Sequence, residues 1–217
     1  ADLDPAPFPP ALRAAHDLMV AGIALRRLRT GAAKAALARA GEAAHLASIP
    51  ALREEVANAH LLLTNPAARL IAQGRERTLR LDEVEALLAS KALIIDACRH
   101  VVRDPRHLVT LARRPILFAL ARALAESWPG DASRALLVAR AFGARHADES
   151  HRARLRVEIG RLRRMIGKLA DVTATKDGFA LVPPRAREIL ILARPVEERH
   201  ASVLAFLADG GSWSSSA

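Results

Sequence analysis

Residues 149–182 of this chain read ESHRARLRVEIGRLRRMIGKLADVTATKDGFALV, a basic helical pattern that runs directly into a hairpin pattern. Between Arg152 and Lys168 there are seven basic residues and one acid, so this segment holds +6 of the chain's net charge of +10. Its apolar residues recur at spacings of four, three and four, which places them on one face of a helix. That face consists of Leu155, Ile159, Leu162 and Ile166.

The other positions of this helix fall on three outward strips, because each residue turns the helix by about 100°. Small residues flanked by guanidinium groups suit a nucleic-acid groove, where arginine forks bind phosphates and guanine edges. A basic face that is simply solvated is the alternative. The strip opposite the apolar face holds Ala153, Val157, Gly160 and Arg164, one flank holds Arg154, Arg161 and Lys168, and the other flank holds Arg152, Arg156 and Arg163.

A hairpin pattern follows the basic helix. Residues 170–175 (ADVTAT) and 178–182 (GFALV) have strand composition, and Lys176-Asp177-Gly178 is a hairpin signal between them. Because a merely solvated face needs no hairpin beside it, the two patterns together favour a nucleic-acid-binding surface.

Short strands and helices are predicted upstream of the basic helix. Three isoleucine- and valine-rich runs predict a small antiparallel meander, and Pro115 opens a helix that a turn at residues 128–131 ends. Ser133 is suited to cap the next helix, and Asp148 and Glu149 place acid at the start of the basic helix. The predicted order is β-β-β-α-α-α-β-β. The strand runs are residues 92–96 (ALIID), 98–102 (CRHVV) and 107–111 (HLVTL).

Several pieces of residues 92–182 match one known pattern together. They are Ile94-Ile95-Asp96 with His100-Val101-Val102, residues 111–115 (LARRP), residues 157–164 (VEIGRLRR), and residues 172–175 (VTAT) with 178–181 (GFAL). With these pieces the chain resembles the winged-helix DNA-binding domain of OmpR/PhoB-type bacterial transcriptional regulators. The third piece stands where that family has its recognition helix, and the last stands where it has its wing.

The resemblance implies a set of DNA contacts. It also implies RNA polymerase as a partner, although Arg114-Pro115 stands where the family has a glutamate, which weakens the case for its polymerase-facing contacts. Phe179 replaces the wing tyrosine of the family. Major-groove or phosphate contacts are expected from Arg154, Arg161, Arg164 and Lys168, a wing contact is expected from Lys176, and Arg152 and Val157 complete the predicted DNA-binding residues.

The composition agrees with a mainly helical chain that binds a polyanion. Of 217 residues 51% are hydrophobic but only 3% are aromatic, and 29 of the 33 basic residues are arginines. A pI near 11.2 favours nucleic acid ahead of membrane as the partner. The arginine excess has an alternative origin in the codon bias of a GC-rich genome. No apolar run reaches the roughly 18 residues of a membrane span, and no signal peptide is recognisable, so a cytoplasmic, nucleoid-associated location is expected.

Residues 1–75 are predicted to form a helical interaction or effector module similar to tetratricopeptide repeats. A proline-rich leader precedes two helices that meet at Thr30-Gly31, a third at residues 51–63 and a short fourth at residues 66–72. One alanine-lined surface exceeds what three helices readily bury, and it consists of Ala33, Ala36, Ala40 and Ala43 beside Leu37 and Leu46. It predicts a homodimer through residues 11–72, with packing inside the chain as the alternative. The apolar faces are Leu12, His16, Met19 and Ile23 in the first helix and Ala33, Leu37, Ala40 and Ala44 in the second.

Further segments complete the predicted domain plan. Residues 73–80 (QGRERTLR) are polar and predict a linker, and a short helix follows within the region 76–91. The winged helix would then span residues 92–183. Residues 184–217 are predicted to be helical, and residues 197–217 resemble the start of a second, truncated helix-turn-helix.

The motifs of enzymes and metal sites are missing from the sequence. The eight histidines lie apart from cysteine and carboxylate partners, the single cysteine Cys98 excludes a disulfide within the chain, and no phosphate-binding or nucleophile motif is present. Neither enzymatic activity, a metal nor a cofactor is therefore predicted. The sequence predicts a transcriptional regulator that binds specific sites in double-stranded DNA. The alternative is a helical scaffold whose winged helix binds another protein.

Overall fold

A computed structural model describes residues 7–144, 148–184 and 187–195 of the chain. These residues form two compact units, one made of residues 7–67 and 79–89 and the other of residues 68–78 and 90–195 without the gaps. The prediction of a mainly helical chain with a smaller β component is confirmed. The chain passes from the first unit into the second at residue 68, returns to the first unit at residue 79 and enters the second unit again at residue 90.

The first unit contains four helices. The predicted break at Thr30 is confirmed, and the Thr30 backbone N–H donates to Glu85 Oε2 at 2.8 Å, which ties the fourth helix to the start of the second. The Lys34 ammonium adds an ion pair with Asp82 at 3.1 Å. The helices are α1 (Pro10–Arg26), α2 (Thr30–Ala47), α3 (Pro50–Thr64) and α4 (Leu81–Ala89).

The face that the sequence predicts as apolar in α1 does not form its core. Leu12, Met19 and Ile23 on that face are 56%, 63% and 46% exposed, and α1 instead buries Ala14, Asp17, Ala21 and Ala24. The small residues form the buried face because they let α1 and α2 approach closely. The carboxylate of Asp17, which is buried with them, is neutralised by the guanidinium of Arg39 on α2 at 2.7 Å.

The alanine face of α2 is buried inside its own unit. Ala33, Ala36, Ala40 and Ala43 are at most 5% exposed, because α1 and α3 cover them. The alanines that suggested a homodimer are therefore not available to a second copy, whereas Leu46 beside them is 64% exposed. The homodimer itself stays a prediction.

Two strands stand where a helix and a linker were predicted. Residues 68–72 form strand β1 (Ala68–Ala72), not a helix, and β2 (Arg75–Leu79) occupies most of the predicted linker. Gln73 and Gly74 between them have φ angles of +50° and +74°. Two successive residues in the left-handed region form the tight turn that a two-residue hairpin needs.

A six-stranded mixed sheet dominates the second unit, and its further strands are β3 (Leu93–Asp96), β4 (Val101–Arg103), β5 (Leu108–Thr110) and β9 (Ile189–Ala193). The strand order is β2-β1-β9-β3-β4-β5. The prediction of helix is wrong for residues 189–193, which form β9. All five residues of β9 are buried between antiparallel β1 and parallel β3, so a continuous apolar run, without alternation, is what this central strand requires. The predicted second helix-turn-helix lies outside the described residues.

Between residues 92 and 182 the structure contains strands and helices near most of the predicted positions, but residues 98–100 form a turn where a strand was predicted. Strands β3 to β5 are followed by three helices and a hairpin, and one short extra strand pairs with that hairpin in a sheet of order β6-β8-β7. The apolar face of the basic helix packs into a core shared with the first of these helices. The elements are α5 (Pro115–Ser127), β6 (Ala132–Ser133), α6 (Arg134–Phe142), α7 (Glu149–Ile166), β7 (Asp171–Ala174) and β8 (Gly178–Val182).

A buried carboxylate fixes the turn between β4 and β5. Asp104 accepts hydrogen bonds from the backbone N–H groups of Arg106 and His107 at 2.7 Å, and from the guanidinium of Arg187 just before β9. Burial opposes the charge, but these hydrogen bonds outweigh burial and lower the pKa of Asp104 to about 2. The ionised form is thus favoured in the folded chain.

We expect Asp104→Asn to lower the free energy of unfolding by about 1–3 kcal/mol at neutral pH, because an amide loses the charge that binds Arg187. The folded pKa lies below the usual value of 3.8, so the advantage of wild type is complete above that value and disappears as the pH falls towards 2. Urea unfolding of both proteins across this range would measure it. A stability difference that does not change with pH would contradict this account.

Candidate nucleic-acid interface

Helix α7 begins at a capping carboxylate, and the acid that the sequence predicts at its start is in place. Asp148 Oδ1 accepts a hydrogen bond from the His151 backbone N–H at 2.8 Å. That hydrogen bond lowers the pKa of Asp148, and a further bond from the His151 ring adds to the effect. The negative charge at the start of α7 also complements the helix dipole. The cap therefore fixes where the basic helix starts.

The inward and outward faces of α7 lie as predicted. Leu155, Ile159, Leu162 and Ile166 are at most 1% exposed and anchor the helix on the core. On the opposite side Val157 is 54% exposed, and Ala153 and Arg164 are also exposed. The helix thus presents a nearly flat outer strip, with apolar Val157 in its first half and the charge of Arg164 in its second.

Two arginines on the first flank of α7 have partners within the protein. The guanidinium of Arg154 lies 4.6 Å from the ring centroid of Phe142 at the end of α6. Arg161 Nη1 donates to Glu158 Oε1 at 2.7 Å, and Glu158 is only 8% exposed. Arg161 is therefore held in place by a carboxylate that would otherwise be a buried, unpaired charge.

Three predicted cations project from the surface without a partner. Among the described residues, no side-chain hydrogen bond or ion pair involves the charged groups of Arg164, Lys168 or Lys176, and all three residues are exposed. Lys168 follows the last turn of α7, and Lys176 lies at the tip between β7 and β8. These charges are available to an external anion.

The second flank of α7 faces the hairpin. Arg152 and Arg156 on this flank reach Glu149 only at 3.8 and 3.7 Å. Arg163 donates through Nε to the backbone oxygen of Val172 in β7, and its guanidinium lies 6.0 Å from the ring centroid of Phe179. The helix and the hairpin are thereby joined through one arginine.

Arg134 is a cation of this site that sequence reasoning missed. It opens α6, yet its two Nη groups donate to the backbone oxygens of Lys176 and Thr175 at 2.8 and 3.1 Å. Its guanidinium also lies 5.7 Å from the centroid of Phe179. Arg134 therefore braces the hairpin tip that carries Lys176. No local pattern signals this role, because its partners lie more than forty residues away in the chain.

The hairpin is further fixed by contacts at its turn. The backbone N–H of Gly178 donates to Thr175 Oγ1 at 2.9 Å, and the Thr175 hydroxyl donates to the carboxylate of Asp131 before β6. These contacts connect the hairpin to the loop between α5 and α6. Five of the predicted DNA-binding residues share helix α7, namely Arg152, Arg154, Val157, Arg161 and Arg164. Lys168 lies in the turn just after α7, and Lys176 lies on the braced hairpin beside it.

No metal-binding group of three or more histidine, cysteine, aspartate or glutamate residues occurs in the described part of the chain. Over the same residues, no helix is long and apolar enough to cross a membrane. In comparisons with known proteins, no family model, no curated protein and no solved structure matches the sequence.

Proposed function

We propose that the chain is a transcriptional regulator that binds specific sites in double-stranded DNA through α7 and the β7–β8 hairpin. The observation that carries this proposal is the outward side of α7, where exposed arginines flank a strip of small residues, and the charged groups of Arg164 and of Lys168 just past the helix have no partner among the described residues. An α-helix of this kind fits the major groove, which is about 12 Å wide. The braced hairpin beside it supplies a further cation, Lys176, and would act as the wing.

The order of elements supports a winged helix of the OmpR/PhoB type for residues 92–182. A three-stranded meander, three helices and a two-stranded hairpin follow one another in that order, with the basic helix third. Under this proposal α7 is the recognition helix and Lys176 is the wing contact. The helices of residues 7–64 would serve as an interaction or effector module.

The partners of the outward residues differ, which suggests different roles in DNA binding. Arg164 has no competing contact among the described residues and is the best candidate for a guanine-reading side chain. Arg161 is fixed by Glu158 and Arg154 by Phe142, so both suit a phosphate at a defined position. Val157 offers an apolar contact of the kind made with a thymine methyl group.

The salt dependence of duplex binding tests the proposal against the alternative, a scaffold whose winged helix binds a protein. Several lysine and arginine contacts to phosphate release counterions, so we expect log K to fall against log salt with a slope of about −4 or steeper. Fluorescence anisotropy with labelled duplexes would measure this slope. A shallow slope, or no measurable affinity for any duplex, would exclude the DNA proposal and favour the scaffold.

Two substitutions are expected to separate base reading from backbone binding. Arg164→Ala should cost about 1–3 kcal/mol on the preferred site and relax discrimination at one base pair. Lys176→Ala should weaken binding to all sequences alike, because a wing lysine contacts phosphate. Affinities for matched specific and random duplexes would measure both effects. An equal, uniform loss for both variants would mean that α7 binds only the DNA backbone.

A further inference from the structure

A pocket of about 310 Å³ opens between α7 and the hairpin. Its volume lies at the lower end of the roughly 300–1,000 Å³ that small-molecule sites occupy. The floor is apolar and includes Leu155, Ile159 and Phe179, each at most 8% exposed. Four arginines surround this floor, namely Arg134, Arg152, Arg156 and Arg163.

Two of the four guanidinium groups are fixed before any ligand binds. Arg134 is held by the backbone oxygens of Thr175 and Lys176, and Arg163 by the oxygen of Val172. Both lie near the ring of Phe179. Each guanidinium carries five N–H donors, so both retain donors for a further acceptor. Donors that are already in position lose little entropy when they bind an anion.

The charge at the pocket is not balanced within the described residues. The carboxylate nearest to Arg152 and Arg156 is that of Glu149, which is 72% exposed and lies 3.8 and 3.7 Å away. No described carboxylate forms an ion pair with Arg134 or Arg163. An anion with two or more charges would therefore be attracted more strongly than Glu149.

The apolar floor narrows the class of ligand. An inorganic anion would satisfy the arginines and leave the floor covered only by water. A flat group joined to a phosphate chain would cover the floor and also stack against guanidinium planes. We propose that this pocket binds a small organic phosphate of the nucleoside diphosphate class.

The sugar and phosphate of a DNA strand present similar chemistry. The apolar floor favours the free molecule, whose base can enter the pocket, whereas the bases of a duplex are stacked and paired. A bound nucleotide would occupy Arg152 and Arg156 beside the outward strip of α7. Under the proposed function, it would therefore weaken duplex binding, and the duplex would weaken nucleotide binding by the same factor.

Isothermal titration calorimetry of the full chain with guanosine diphosphate tests the proposal, with guanosine and inorganic phosphate as comparison ligands. We expect one saturable site for the diphosphate and binding at least tenfold weaker for either comparison ligand, because each lacks one half of the recognised chemistry. Binding of inorganic phosphate as tightly as the diphosphate would overturn the proposal, and so would the absence of saturable binding.

Variants locate the site. Arg156→Ala removes an exposed rim charge and should weaken diphosphate binding about tenfold or more, the usual effect of one charge-assisted hydrogen bond. Ala174→Leu changes an exposed pocket residue and should fill the floor without altering charge. Arg113→Ala, which removes an exposed arginine outside the pocket, is the matched control and should bind like wild type. Equal losses in Arg156→Ala and Arg113→Ala would refute the assignment to this pocket.

The pocket proposal and the proposed function can be refuted independently of each other. Arg164→Ala should retain diphosphate binding, since Arg164 does not line the pocket, although it should lose base discrimination. A chain that binds the diphosphate but no duplex would refute the proposed function and leave the pocket assigned. A chain that binds duplex DNA but not the diphosphate would refute only the pocket.

Discussion

Gly178→Ala is expected to destabilise the second unit by about 3 kcal/mol, at the upper end of overpacking penalties. An ideal Cβ at Gly178 would lie 1.8 Å from the backbone oxygen of Ala132 and 2.9 Å from Cα of Ser133. Both atoms belong to the backbone of β6, which pairs with β8 at this point. A methyl group therefore cannot fit unless β6 separates from the hairpin.

The matched control is Gly160→Ala on α7. A Cβ at Gly160 would meet nothing within 4 Å, so the change should stabilise the helix by up to about 1 kcal/mol through propensity alone. Chemical unfolding of the two variants and wild type gives the comparison. If Gly178→Ala proves as stable as wild type, the described pairing of β6 with β8 is wrong.

Removal of residues 1–80 is expected to prevent the second unit from folding as a soluble monomer. The sequence alone suggests that a chain starting at Leu81 keeps a complete DNA-binding domain. In the structure this cut removes β1, which lies beside β9 with Ile71 opposite Ile191. The apolar edge of β9 would then be exposed, and such an edge pairs with other chains.

A chain that starts at Pro66 is the control, because it retains β1 and β2. Light scattering and amide hydrogen exchange would compare the two truncated chains. We expect aggregation, or loss of exchange protection in β3 and β9, only for the chain that starts at Leu81. A soluble, fully protected chain starting at Leu81 would contradict the role of β1 in the sheet.

The elements with a strong local pattern were predictable from sequence. Helix α7 was predictable because four apolar residues recur on one face over more than three turns, and the β7–β8 hairpin because its turn chemistry is explicit. Strand β9 was not, because a five-residue apolar run that is buried on both faces has no alternation to distinguish it from a helix. Its partners are distant in sequence.

The sequence of the β1–β2 hairpin contains a turn signal, but the charged composition of β2 made the segment resemble a linker. Gln73-Gly74 separates two five-residue segments, but RERTL in β2 consists largely of charged residues that resemble a linker. An edge strand tolerates such residues because four of the five are exposed. In α1 the wrong face was predicted to be buried, because large apolar side chains were expected in the core. Close packing of small alanines against α2 outweighed the burial of Leu12 and Met19.

The candidate interface was predictable where it depends on a single helix. The outward strip of α7 follows from helical rotation alone. The pocket beside it was not predictable, because Arg134 and Phe179, which lie near Arg163, belong to two other elements of the fold. The ion pair of Arg161 with Glu158 has the helical i, i+3 spacing and was accessible from sequence, but burial of Glu158 was not.

Sequence-specific recognition by α7 can be measured by selecting duplexes from a random library with the full chain. We expect wild type to enrich one short sequence, with the preference at one base pair lost in Arg164→Ala and retained in Lys176→Ala. Recovered sequences no different from the starting library would contradict sequence-specific recognition by α7.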